Sequence, residues 1–269
     1  MRGVGLPMAP VRADDGLPAT LGGADWRRFE AVGLVRIGRL DAATLSRLRA
    51  GLDDIMLGRA DAPYDRLLMQ LDSSSGNYDD LGRQTKGFKG ATLNYRKIQD
   101  LELVHTFRTY LEDPPFRTIC RHVYGDIPIA CFRAMAMIKP AGAGTKLPWH
   151  QDRWRALDRD PLVTIWTSLD DANAESGGLE VIPGSHRRGV LNRSHPSAFL
   201  DDRQQAQCDQ DIGRAALDIP GGEVWLLHNW LLHRSGVNET DKPRRAFSVC
   251  YMDARTVDRS GTRYTKLWG

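Results

Sequence analysis

The chain is short of what would build a disulfide scaffold or cross a membrane. Its four cysteines, Cys120, Cys131, Cys208 and Cys250, are dispersed and form no C-x-x-C pair. That argues against a zinc knuckle and against a disulfide framework, and leaves reduced, partly buried thiols as the expectation. No stretch approaches the ~18 consecutive apolar residues of a membrane span. Residues 1–20, rich in Gly, Pro and Asp, lack the apolar core of a secretory signal. A flexible tail over 1–20 and a cytoplasmic location are therefore expected. Charge of one sign is scarce too. The 37 basic and 34 acidic residues leave a net +3, too little to call for a nucleic-acid partner. Lysine is rare among the basic residues, with 30 Arg to 7 Lys.

What is present suffices for a sizeable core, at 41% hydrophobic and 26% charged residues. A length of 269 residues would allow two domains at ~150 residues each, yet β-sandwiches and barrels commonly run to ~200–250 residues as one. The expectation is one domain over 21–269.

Asp41 is placed as N-cap of a helix running to about Leu57, with Leu45, Leu48, Leu52, Ile55 and Met56 as its apolar stripe. Residues 61–90 contain the polar run Asp72-Ser73-Ser74-Ser75-Gly76-Asn77-Tyr78-Asp79-Asp80. A loop of that length is either disordered or a lid. A strand over Thr92–Ile98 and helices over Leu101–Leu111 and Pro114–Tyr124 follow, the last with Asp113-Pro114 as cap and first-turn proline. From Ile129 to Ile138 the pattern alternates: Phe132, Ala134, Ala136 and Ile138 on one face, Cys131, Arg133, Met135 and Met137 on the other. Further strands are expected over Leu162–Leu169, Leu179–Ile182, Glu223–Leu227 and Ala246–Met252, punctuated by Gly/Pro turns. Helices first and many short strands afterwards point to a mainly β (α+β) protein, a β-sandwich or jelly roll with an N-terminal helical layer.

The sharpest chemical feature is Leu147-Pro148-Trp149-His150-Gln151-Asp152. On an extended segment, residues i and i+2 face the same way, so His150 and Asp152 can offer an imidazole and a carboxylate to one point. His233, after a later apolar strand, supplies a second imidazole. Two His and one carboxylate form a facial triad suited to Fe(II), with open positions for other ligands. His228 is the main rival, with a core or supporting imidazole as its alternative role. His186 lies in a turn, and His105 and His122 lie on helices, where structural or surface roles are expected.

His150-Gln151-Asp152 and His233-Arg234-Ser235-Gly236-Val237-Asn238, with Arg244 eleven residues after His233, resemble the phytanoyl-CoA dioxygenase family of Fe(II)- and 2-oxoglutarate-dependent oxygenases. Ser176–His186 resembles the family's turn-strand-turn between the metal motifs, and Asn94–Asp100 a shorter upstream motif. The similarity runs in order from about Thr92 to Met252. It implies a double-stranded β-helix (jelly roll) fold, Fe(II) held by His150, Asp152 and His233, and 2-oxoglutarate and O2 as cosubstrates.

By the same resemblance, Arg244 clamps the distal carboxylate of 2-oxoglutarate, and an Arg fork suits that group. Ser235 would add a hydroxyl, while Lys97 and Trp166 would help hold the cosubstrate. Arg96 is the alternative to Lys97 if the register differs by one. Arg245 would point away. The implied reaction is hydroxylation of a small molecule with release of succinate and carbon dioxide. Desaturation, oxidation to a ketone and a non-catalytic metal-binding jelly roll are the alternatives. Arg153, Trp154 and Arg155, which follow the metal carboxylate, and Arg133 and Met135, on an earlier strand, are the candidate substrate contacts. Guanidiniums there would suit an anionic substrate.

Overall fold

The computed structural model describes residues 16–269 except Ser74 and Ser197; most of the expected tail therefore lies outside the described residues. Its last part does not hang free, because Gly16 bridges to Arg39.

In chain order the elements are α1 (Gly23–Val32), β1 (Leu34–Arg39), α2 (Ala42–Met56), β2 (Leu68–Leu71), β3 (Thr85–Lys86), β4 (Tyr95–Gln99), α3 (His105–Leu111) and α4 (Pro114–Tyr124). Then come β5 (Ile129–Lys139), β6 (Leu147–His150), β7 (Val163–Ser168), β8 (Leu179–Val181), α5 (Asp202–Asp209) and β9 (Ala215–Ala216). β10 (Glu223–His228), β11 (His233–Ser235), β12 (Arg244–Asp253) and β13 (Thr265–Trp268) complete the fold. A nine-stranded sheet runs β1-β10-β7-β12-β5-β4-β2-β3, with β13 also on β5, and a four-stranded sheet runs β6-β11-β8-β9. Every strand pair is antiparallel. This is the expected jelly roll with its helical layer.

The two faces of the large sheet have different jobs. On one face, Val163, Ile165, Phe247, Val249 and Ala134 pack with Leu48 and Leu52 of α2, Phe107 of α3 and Phe116 of α4. On the other, Trp166, Trp225 and Ala246 meet Leu179 and Val181 of the small sheet. The period-2 alternation of β7, β10 and β12 makes this division possible. Tyr110 ties the helical layer to the sheet through a 2.6 Å hydrogen bond between its hydroxyl and that of Thr167.

α2 has the expected bounds, with the Asp41 carboxylate accepting from the Thr44 amide at 2.8 Å. α4 matches the expected range. Other expectations need correction. Residues 61–90 are not one loop, since β2 and β3 extend the large sheet there. The strand expected over 92–98 starts at Tyr95. The helix expected over 101–111 is a 3-10 turn, Leu101–Leu103, broken from α3 at Val104, whose φ of −104° and ψ of 124° are extended.

β5 departs most instructively. Cys250 pairs with Arg133 and Tyr251 with Cys131, so Phe132 is an extra residue in a β-bulge. The bulge resets the alternation. Cys131 joins the core with Ala134, while Phe132 leaves it to pack 4.4 Å from the Trp154 ring. All four cysteines are free and buried, and no described helix is long and apolar enough to cross a membrane.

Candidate active site

Between the sheets lies a cavity of about 210 Å³ lined by residues of both. His150 ends β6 and His233 begins β11; the two are direct cross-strand partners. Asp152 follows just beyond β6, its amide anchored to the Asn229 carbonyl at 2.7 Å. One ligand atom from each of His150, Asp152 and His233 lies within 4.8 Å of the others.

The two imidazoles are oriented alike. His150 Nδ1 donates to the Pro148 carbonyl and His233 Nδ1 to the Leu231 carbonyl, each at 2.9 Å and each two residues upstream. A carbonyl can only accept, so the proton sits on Nδ1 and Nε2 is left as the ligand atom. Burial, with His233 beside it, pushes His150 down to about 3, which keeps the ring neutral. For Asp152, burial alone would raise the carboxyl, but His233, Arg133 and His150 outweigh it and hold it below its usual value. His150 and Asp152 are thus held in the forms that bind a cation. Two nitrogens, one oxygen and no thiolate suit Fe(II).

Gln151, silent in the sequence reading, is the brace between the two ligands. Its fully buried amide donates to the Gly189 and Trp230 carbonyls, both at 2.8 Å, and accepts from the Leu191 amide at 2.9 Å. Its place between His150 and Asp152 was visible, but its partners lie far away in the chain.

Arg244, at the start of β12, is buried and lines the cavity. Its Nη2 donates to the Gly177 carbonyl at 2.9 Å. Gly177 reaches that position with φ +68°, and a Cβ there would come within 2.6 Å of the Val237 carbonyl. Burial lowers Arg244 to about 10, which still leaves it charged at neutral pH. Arg244 Nε and Trp166 Nε1 are buried without a hydrogen-bond partner among the described residues, and both side chains line the cavity with Ser235. Buried donors of this kind demand an acceptor. A carboxylate supplies one, so the residues present fit 2-oxoglutarate as well as the metal. Arg245 points away, as expected, and pairs with Asp170 and Asp53.

Lys97 and Arg96 both line the cavity. β2 pairs Gln70 with Lys97 and Leu71 with Tyr95, which leaves Arg96 as the bulged residue of β4. The choice between them therefore dissolves. Burial, then Arg133 and Arg96, brings Lys97 down to about 7.

The candidate substrate contacts divide. Arg133, Met135 and Trp154 line the cavity. Arg153 and Arg155 are not among its lining residues. Arg153 pairs with Asp160 at 3.3 Å, and Arg155 donates to the Ser194 carbonyl at 2.7 Å. The chain turns at Arg155–Ala156, so the extended-strand alternation does not continue past Trp154. His228 also lines the cavity but lies outside the converging group: its Nδ1 accepts from the Trp230 amide at 3.0 Å, and burial lowers it to about 4. His186 is buried with its ring on the Glu30 carbonyl, and His122 stacks on Trp26.

The model of the family described as phytanoyl-CoA dioxygenase (PhyH) matches residues 29–246. The chain is 28% identical over 156 residues to mouse phytanoyl-CoA dioxygenase domain-containing protein 1, covering 55% of this chain and 53% of that protein. It is 29% identical over 146 residues to L-proline trans-4-hydroxylase of Streptomyces griseoviridis, covering 46% and 54%. The chain thus spans about half the length of each. Among solved structures, the non-heme alpha ketoglutarate dependent carbocyclase SnoK from nogalamycin biosynthesis superposes with a TM-score of 0.70 at 19% identity, over 92% of this chain and 90% of that one; that likeness is one of fold. With the family match spanning most of the chain and both metal motifs inside it, the chain belongs to the phytanoyl-CoA dioxygenase family.

Proposed function

We propose that the protein is an Fe(II)- and 2-oxoglutarate-dependent oxygenase that hydroxylates a C–H bond of a small molecule. One observation carries this reading: the His150, Asp152 and His233 ligand atoms converge within 4.8 Å on the cavity that also receives the buried Arg244. Family membership and the L-proline hydroxylase among its relatives support it.

When bound, the iron and 2-oxoglutarate supply dioxygen activation, with succinate and carbon dioxide as coproducts. The chain supplies the rest. His150, Asp152 and His233 hold one side of the metal. Arg244 and Ser235 take the distal carboxylate, Trp166 Nε1 offers a further donor, and Lys97 offers its amine to the same cavity. Asp152 keeps the third protein ligand in place, which favours hydroxylation over chemistry needing an added anion at that position. We assign the closing role expected of 61–90 to the stretch around Tyr78, whose ring lies 5.4 Å from Phe199 on the cavity wall. It would exclude water during turnover.

Anaerobic protein mixed with Fe(II) and 2-oxoglutarate should show a weak visible charge-transfer band, and Asp152→Ala should lose it. Absence of the band from the unsubstituted protein would sink the reading. A succinate-release screen over amino acids, phosphonates, acyl thioesters and glycosides would then identify the substrate.

A further inference from the structure

The cavity carries more positive charge than its proposed cofactors can use. Arg96, Lys97, Arg133, Lys139 and Arg244 line it, against a single lining carboxylate, Asp152. A divalent ion and a 2-oxoglutarate dianion cancel each other. Asp72 lies close enough to act on Arg96 and Lys139, and Asp170, which acts on Arg244, is already bonded to Arg245. Even with both lysines counted as neutral and Asp72 included, three guanidiniums face two carboxylates. Secluded charge without a counter-charge is costly.

The surplus has a location. Lys139 pairs with Arg244 across β5 and β12, and Arg133 lies six residues back along β5. At ~3.3 Å per residue, the backbones of Arg133 and Arg244 are about 20 Å apart along the sheet. They are two separate poles, and the cosubstrate's distal carboxylate accounts for only one.

Arg133 is also built to receive an anion. Its guanidinium lies 4.6 Å over the Trp154 ring and 5.8 Å from that of Phe132. Stacking of this kind holds the plane while leaving its edge donors free. Among the described residues Arg133 makes no side-chain hydrogen bond; its single ion-pair contact is with Asp152 at 3.6 Å. Arg96, held over Tyr78 at 5.2 Å and bonded to Gln70 at 3.0 Å, lies toward Lys139, on which it acts, and so belongs to the other end of the cavity. Met135, Trp154 and Phe199 supply apolar wall.

We infer that Arg133, seated on Trp154, is the specificity site for a substrate bearing a carboxylate or phosphate group next to an apolar body. This rests on the oxygenase reading for the word substrate, but the anion preference itself can be measured without turnover. Arg153 and Arg155, which do not line the cavity, have no part in it.

The test uses benzoate, phenyl phosphate and benzamide as probes. Their binding is followed by calorimetry to the full chain saturated with Mn(II) and 2-oxoglutarate, so that the cosubstrate pole is occupied. Benzoate or phenyl phosphate should bind about tenfold or more tightly than neutral benzamide. Whichever anion is preferred identifies the head group. Arg133→Gln should erase the preference, and Arg133→Lys should restore part of it with the packing on Trp154 retained. Thermal unfolding of each variant shows whether it is folded. Equal binding of benzamide, or a preference that survives Arg133→Gln, would overturn the inference. So would a 2-oxoglutarate requirement that rises in Arg133→Gln as steeply as in Arg244→Ala, which would give Arg133 to the cosubstrate. If the unsubstituted protein shows no charge-transfer band, the oxygenase reading fails by itself; the same probe comparison without metal, made in an Arg244→Ala background that removes the other pole, still decides the anion site.

Discussion

His150 and His233 stand directly opposite each other on paired strands, their ring centroids 4.1 Å apart. Each ring is turned by a bond from Nδ1 to the carbonyl two residues behind it. The metal-facing geometry is therefore a property of one antiparallel pair, and Asp152 is added from the loop that leaves it. Small changes near that loop should be felt in metal binding before they are felt in the rest of the fold.

Gln151 is the most sensitive point of this kind. Gln151→Leu would strand two carbonyls and one amide in the interior. The expected cost is about 1.5–4.5 kcal/mol for the three bonds, at ~0.5–1.5 kcal/mol per bond. Denaturant unfolding measures it, and weakened Fe(II) affinity should accompany it. A variant as stable as the parent would show that these three bonds do not brace the site.

Arg244→Ala should raise the 2-oxoglutarate concentration needed for half-maximal succinate release about ten- to hundredfold, the worth of a charged hydrogen-bonded pair. Arg244→Lys should recover part of it, since a point charge cannot reproduce the fork. An unchanged requirement in the alanine variant would mean that another residue holds the distal carboxylate.

Lys139 sets a pH dependence. Burial, then Arg244, brings it down to about 6 from an ordinary 10.5. Between those values the unfolded chain binds the proton and the folded chain does not, so folding stability rises with pH. Its contribution is present above about 10.5 and is lost as pH falls through about 6. Lys139→Met removes the effect. Measured by urea unfolding without metal or cosubstrate, the variant's stability relative to the parent should increase from pH 9 down to about 6 and then level off. A difference independent of pH would show that Lys139 keeps its proton in the fold.

Closure over the site should be visible to a protease. The segment bearing Tyr78 is pinned by the Lys146 amide on the Gly76 carbonyl at 3.1 Å and the Thr145 amide on Asp72 at 3.1 Å. Arg83, just beyond it, is exposed. Tryptic cleavage after Arg83, followed by mass spectrometry, should slow about fivefold or more with Mn(II) and 2-oxoglutarate bound, as bound ligand depletes the open state. An equal rate with and without them would remove this segment from the closing role.

What could be read beforehand was whatever local pattern controls. The metal triad stood out because the local His-x-Asp spacing of His150 and Asp152 was joined by His233 after a later strand and by a family resemblance that spans all three. The Asp41 cap and the Asp113-Pro114 start were legible from local pattern alone. Bulges were not, because an extra residue leaves no mark on a hydrophobicity pattern that alternates on either side of it. Phe132 was therefore assigned to the wrong face, and Arg96 and Lys97 were treated as rivals although both face the cavity. α1, β1 and the short strands β9 and β13 also went unread; their burial depends on partners such as β10 and β5 that lie far off in the chain. Arg153 and Arg155 lie outside the cavity lining, the second because the alternation drawn through Asp152 and Trp154 ends in a turn there.

The Phe132 bulge has a consequence for how this scaffold can change. It lies at the Arg133 end of β5, whereas Lys139 and Arg244 meet at the other end and the two histidine ligands are on the smaller sheet. Removing the extra residue would rotate the strand on its far side by one face without moving the cosubstrate pole. Through Phe132 on Trp154 and Arg133 on Asp152, a change at this one residue would reach the carboxylate end of the triad while leaving the Arg244 end where it is.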